Sequence, residues 1–325
     1  MNMKYAIGVD LGGTNIVTIL MNEKGKIIAR DKRLTEGWKG KEHVVNRIAE
    51  GINAVMESQP SGIRKKITGI GIGTPGLVDL ERGIVYEAPN IPGWNNVPLS
   101  RIYRKRFGRP VFLENDANSA ALGEWWIGAG KGTRYMVCLT LGTGIGGGII
   151  IDGKVYHGAD GYAGELGHIS ISLDGPRCGC GNHGCMEAYA SAIGIIKRTK
   201  ALLKEKENKK SLIYKLIGGD LSKLTPAIIT AAARKGDMLA KKIWKDTGFY
   251  LGSGIASYVN IFNPEMVVLT GGMTGAGNLL FRPMWQTVRR RAFKGPVRKL
   301  KIVAGKIPDD AGAVGAAKTV FQRLS

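Results

Sequence analysis

Apolar and polar positions alternate in two rhythms along the chain. Residues 5–9, 16–21 and 26–33 read as strands, separated by turns at Leu11-Gly-Gly-Thr14 and Asn22-Glu-Lys-Gly25. Val44, Val45, Ile48, Ile52, Val55 and Met56 then recur at helical spacing, and Pro60 follows them. Strands are predicted at 67–72 and 111–113, and a helix over 119–127. The pattern restarts with a strand at 135–141, a glycine loop at 142–148, a strand at 149–151 and a hairpin turn at Asp152-Gly153. Residues 158–185 are rich in Gly and Cys and read as irregular. The remainder is mostly helical, near 186–207, 211–217, 226–235, 237–260, 278–292 and 311–323. Strands interrupt it at 266–270 and 300–303, and Thr225-Pro226 form a helix-starting pair. Each half thus opens with strand, glycine turn, strand. Two lobes built this way could both present a glycine turn to one phosphate chain.

With 325 residues, two domains are expected, and 44% apolar residues suffice for a full core. No apolar run reaches the ~20 residues of a membrane span. The run at 5–9 is cut by Asp10, too soon for a signal peptide. The expectation is a soluble cytoplasmic protein without a membrane partner. The net charge of +21 raises the question of a polyanion, and nine Lys/Arg without a carboxylate lie between Arg282 and Lys306. No nucleic-acid motif accompanies the charge and aromatics are only 7%, so solvated basic faces and no nucleic-acid partner are expected.

Three glycine turns end apolar strands. Asp10-Leu-Gly-Gly-Thr14 can bring Gly12 and Gly13 N–H groups and the Thr14 hydroxyl to phosphate oxygens, with Asp10 placed to hold a metal-bound water. Its other reading is an ordinary hairpin turn. Gly142, Gly144 and Gly147 satisfy G-x-G-x-x-G, but a strand follows where a dinucleotide site needs a helix, so a phosphate-binding hairpin fits better. Thr270-Gly-Gly-Met273 is the third. Glu114-Asn-Asp-Ala-Asn118 follows a buried strand. Asp116 there can accept a hydroxyl proton, as phosphoryl transfer to an alcohol requires, or can cap the helix that follows. His168, Cys178, Cys180 and Cys185 have the spacing H-x9-C-x-C-x4-C, a Cys3His set suited to a closed, structural Zn2+ site, with His183 as a substitute ligand. Cys138 reads as a core residue. Glu165 and Glu187, held by such a loop, could accept hydrogen bonds from sugar hydroxyls; their other reading is exposed surface acids.

Together and in order, Asp10-Leu-Gly-Gly-Thr14, Pro89-Asn-Ile-Pro-Gly-Trp94, Glu114-Asn-Asp-Ala-Asn118, Leu141-Gly-Thr-Gly-Ile-Gly-Gly147, Glu165-Leu-Gly-His168 and Cys178-Gly-Cys-Gly-Asn-His-Gly-Cys-Met-Glu187 resemble the ROK family of sugar kinases, most closely its bacterial-type glucokinases. The resemblance implies an α/β, actin/hexokinase-like (ribonuclease H-like) fold of two lobes with an interlobe active-site cleft and a zinc-pinned loop. It implies a small lobe of 1–117 plus 311–325 and a large lobe of 118–310. By the same resemblance Asp116 is the general base, and Asn90, Asn115, Asp116, Glu165, His168 and Glu187 bind the sugar. Asp10, Gly12, Gly13, Thr14, Asn15, Gly142, Thr143, Gly144, Gly271 and Gly272 contact ATP, and Mg2+ accompanies ATP near Asp10. His168 would place one ring nitrogen on zinc and turn the other to the sugar. The implied activity is phosphorylation of a hexose 6-hydroxyl, with glucose first and mannose, fructose, allose, N-acetylglucosamine and N-acetylmannosamine as alternatives. The donor is ATP, with polyphosphate left open, and a dimer or tetramer is implied. Sugar-responsive repressors of the family carry an N-terminal helix-turn-helix domain, for which the first strand leaves no room.

Overall fold

The computed structural model describes residues 3–88 and 91–325. The chain forms two compact units. One comprises Met1–Cys138, Gly148–Gly164 and Gly305–Ser325, and the other Leu139–Gly147 and Glu165–Ala304.

The first unit is built on the sheet β3-β2-β1-β4-β8, from β1 (Tyr5–Leu11), β2 (Asn15–Asn22), β3 (Ile27–Leu34), β4 (Ile67–Thr74) and β8 (Val111–Asn115). Strands β1 and β2 are antiparallel and close on the tip Gly12-Gly13-Thr14, where the Gly12 N–H donates to the Asn15 carbonyl at 3.0 Å. Strands β1, β4 and β8 are parallel, with Asp10 opposite Gly73 and Gly73 opposite Glu114. This register brings Asp10 and the Glu114-Asn115-Asp116 segment to the same carboxyl edge, the usual place for ligands in parallel sheets.

Alternation along β1 divides its side chains between two faces. Ile7, Val9 and Leu11 pack with Val44, Ile48, Ile52 and Val55 of the Lys41–Glu57 helix. Ala6, with Val17, Ile19 and Met21 of β2, packs against Ala313, Val314, Ala317 and Val320 of the Ala311–Arg323 helix. That last helix lies so close that a Cβ on Gly8 or Gly71 would run into its backbone carbonyls, and one on its own Gly315 would run into the Ser119 carbonyl. A small antiparallel sheet, β5 (Leu77–Asp79), β6 (Ile84–Glu87) and β7 (Asn95–Val97), completes this unit and was not expected from the sequence. Its strands are too short to show a period.

A second five-stranded sheet has the order β11-β10-β9-β12-β13, from β9 (Met136–Leu141), β10 (Ile145–Ile151), β11 (Lys154–Val155), β12 (Met266–Thr270) and β13 (Lys301–Ala304). The expected glycine loop at 142–148 is shorter than predicted, because Gly146–Gly148 continue β10. Gly148 lacks a side chain where the Asp116–Trp126 helix crosses, facing Ala121 and the Ala117 carbonyl. In the second unit β12 and β13 are parallel, and the helices Met238–Phe262 and Asn278–Arg291 pack through Gly248 and Gly252. Thr225 caps the Pro226–Arg234 helix as expected, accepting from Ile228 N–H at 3.3 Å. Among the described residues no helix is long and apolar enough to cross a membrane.

Candidate active site and metal centre

In the first unit, the end of β8 passes directly into the Asp116–Trp126 helix. The cap is Asn115, whose side-chain oxygen accepts from Ala117 N–H at 2.9 Å and Asn118 N–H at 3.2 Å. Asp116 is therefore not the capping residue. It is the first residue of the helix, and its Oδ1 accepts from Ala117 N–H at 2.8 Å. Helix N–H groups and the helix dipole favour a negative charge there.

Asp10 is half-buried at the end of β1. Burial, reinforced by the Asp116 charge, pushes its carboxyl up to about 7. Gly312 leaves the space that the Asp10 carboxyl occupies, since a Cβ there would collide with it. Carboxylates on one sheet edge are ligands of the kind that a hard divalent cation and its waters take. Beside them, Thr35 holds the 10–14 turn: its N–H donates to the Thr14 carbonyl at 2.9 Å and its hydroxyl to the Gly12 carbonyl at 2.7 Å.

Glu114 and His157 are a pair that sequence reading did not single out. The buried Glu114 carboxylate accepts from Asn115 N–H at 3.0 Å and Asn118 Nδ2 at 3.3 Å through Oε1, and its Oε2 lies 2.8 Å from His157 Nε2. Nothing in the sequence spacing joins positions 114 and 157. The link exists because β10 and β11 carry the chain back to the first unit.

In the second unit, Glu165, His168, Glu187 and the three cysteines come together. His168 Nδ1 lies 3.6 Å from Cys178 Sγ, and Cys180 Sγ lies 3.7 Å from Cys185 Sγ. All four ligand atoms are within 4.8 Å of one another, and His183 is not among them. Its Nδ1 instead pairs with the Gly175 carbonyl at 3.1 Å. Sulfurs about 2.3 Å from a tetrahedral Zn2+ stand about 3.8 Å apart, and a sulfur and an imidazole nitrogen about 3.6 Å. The cluster fits that ion closely. In the protein alone, burial pushes the Cys178 thiol up to about 12, a cost that a cation among three sulfurs removes.

Metal-side and opposite-side contacts of His168 differ. Nε2 points toward Glu165 Oε2 at 3.9 Å. The turn that carries both is held by Tyr258, whose hydroxyl donates to the Leu166 carbonyl. Glu187 links this cluster to a glycine turn: its Oε2 accepts from Ile145 N–H at 2.8 Å, and its Oε1 lies 3.6 Å from Cys178 Sγ. A Cβ at 144 would strike the Glu187 carboxylate, which would have to leave its place on Ile145 N–H to make room. Gly271, at φ +97°, rests on the Leu141 backbone, so the 142–144 and 271–272 turns are neighbours. Cys138 is buried in β9, as expected of a core residue. Asn90 lies outside the described residues.

An α/β chain with glycine turns at strand ends, an acid pair on one sheet edge and a Cys3His cluster defines a narrow class. The model of the ROK family matches residues 6–323, and the chain belongs to that family. It is 43% identical over 320 residues to the glucokinase of Thermotoga maritima, covering 98% of each. It is 35% identical to the xylose repressor of Caldicellulosiruptor bescii, covering 98% of this chain and 78% of that protein. The crystal structure of a ROK family glucokinase from Streptomyces griseus in complex with glucose and AMPPNP superposes with a TM-score of 0.84 at 35% identity, covering 98% of this chain and 99% of that one.

Proposed function

We propose that the chain transfers the γ-phosphoryl group of ATP to the 6-hydroxyl of glucose. The observation that carries this reading is the full-length, 43% identity to a glucokinase. In it, Asp116 accepts the proton of the attacking hydroxyl, a task suited to a carboxylate at the mouth of a helix. Asn115 spends its side-chain oxygen on the cap, which leaves its amide group to donate to a sugar oxygen. Glu165, His168 through Nε2, Glu187 and Asn90 hold the remaining hydroxyls, fixing the attacking oxygen in line.

The turns containing Gly12, Gly13, Thr14 and Asn15, Gly142, Thr143 and Gly144, and Gly271 and Gly272 offer N–H and hydroxyl donors to the nucleotide. Asp10 would hold Mg2+ through its waters. When bound with ATP, that ion neutralises phosphate charge. His168, Cys178, Cys180 and Cys185 would hold Zn2+, which supplies rigidity to the loop and no chemistry.

A coupled ADP-release assay with Mg-ATP across glucose, mannose, fructose, allose, N-acetylglucosamine and N-acetylmannosamine tests this. Highest kcat/KM on glucose is expected. Preference for another hexose would move the substrate within the kinase class. The likeness to a xylose repressor favours a second reading, sugar binding without turnover. Tight sugar binding by calorimetry with no ADP release would select it.

A further inference from the structure

We propose that His157 is a positioning residue for this phosphoryl transfer, acting through Glu114 on the Asn115-Asp116 corner. The proposal rests on the kinase reading above. Glu114 is the pivot. Its side chain is 4% exposed, and buried carboxylate oxygens need partners. A carboxylate only accepts, so His157 Nε2 donates to Oε2. The other oxygen, Oε1, takes the Asn115 N–H and the Asn118 amide, which flank Asp116 on either side. Rotation of the Glu114 carboxylate therefore shifts both flanks of the residue proposed as base.

His157 is what prevents that rotation. Its ring is part-exposed and reaches inward to Oε2 at 2.8 Å. Its own backbone is anchored too, because the His157 carbonyl accepts from Ala163 N–H at 3.0 Å. That bond closes the turn that ends two residues before Glu165. One residue thus ties the Asn115-Asp116 corner to the 157–163 turn by two hydrogen bonds, one from its ring and one to its carbonyl. Without the ring, Oε2 keeps a buried charge with a partner removed. Turning the carboxylate toward water or toward another donor is then favoured over holding Asn115 and Asn118.

His157→Ala and His157→Gln separate this from a bulk structural role, since a glutamine amide can reach the place of Nε2. Steady-state kinetics on glucose with Mg-ATP would be read beside hydrogen exchange of amides 115–118. The alanine variant is expected to lose roughly ten- to a hundredfold in kcat. Its KM for ATP should be unchanged, because no ATP turn is touched, and exchange at 115–118 should quicken. Glutamine should restore both. An alanine variant with wild-type kcat and wild-type exchange at these amides would overturn the proposal. So would a kcat loss accompanied by unaltered exchange and no rescue by glutamine. If the wild-type protein does not phosphorylate any hexose, the kinase reading fails on its own, and the exchange measurement alone still decides whether His157 holds the corner.

Discussion

Asp10 and Asp116 stand on one edge of the first sheet with β4 between them, and the charge of Asp116 adds to burial in raising the Asp10 carboxyl to about 7. The unfolded chain would release this proton near 3.8. Between about pH 4 and pH 7 the folded state therefore retains a proton that the unfolded state has lost. Stability from this group is complete below about pH 4 and is lost as pH rises through 7, by on the order of a few kcal/mol. Asp10→Asn is expected to flatten that fall. Urea unfolding between about pH 4.5 and pH 7.5, without Mg2+ or nucleotide, checks it, and equal slopes for both proteins would count against a raised Asp10.

Asp116→Asn keeps an oxygen for the Ala117 N–H and removes the base. We expect kcat to drop by about 10²- to 10⁴-fold. Melting temperature and bound metal should stay as in the wild type. Retained turnover in the coupled assay would take Asp116 out of that role.

Cys180 is the exposed thiol of its cluster, so Cys180→Ser removes a ligand without opening a cavity. The expected outcome is loss of most of the bound zinc, measured by mass spectrometry of the metal. Thermal stability should fall as well, because metal binding and folding share one free energy. A variant that keeps its zinc and its melting temperature would argue that the fourth ligand lies elsewhere.

The strands at 266–270 and the helix at 311–323 were legible to the residue, because apolar period and breaker residues agreed there. The Cys3His set was legible as well, since close spacing carries its own geometry. Other features were hidden for physical reasons. Gly146–Gly148 look like loop, yet they are strand, and at Gly148 it is a crossing helix rather than a turn that leaves no room for a side chain. Asn115 and Asp116 are adjacent and both can cap a helix, so only coordinates could say which one does. The Glu114–His157 pair is formed by a chain reversal 43 residues later, and no local pattern announces it.

Glu124 makes a comparable long-range bond. Fully buried near the end of the Asp116–Trp126 helix, it accepts from Ala129 N–H at 2.8 Å, Lys306 N–H at 3.0 Å and Ile307 N–H at 3.0 Å. Glu124→Gln puts an amide donor against a backbone donor. We expect a loss of about 2–4 kcal/mol in urea unfolding. A change under about 0.5 kcal/mol would mean the segment is held by other contacts.

The Ala311–Arg323 helix covers the face of the first sheet on which Gly8 and Gly71 leave room for it. On the ribosome, the strands of that sheet are made by residue 115, while the helix follows only from residue 311. Until that helix is made, Ala6, Val17, Ile19 and Met21 lack the residues that bury them. The first unit is therefore completed only after the residues of the second unit have been made.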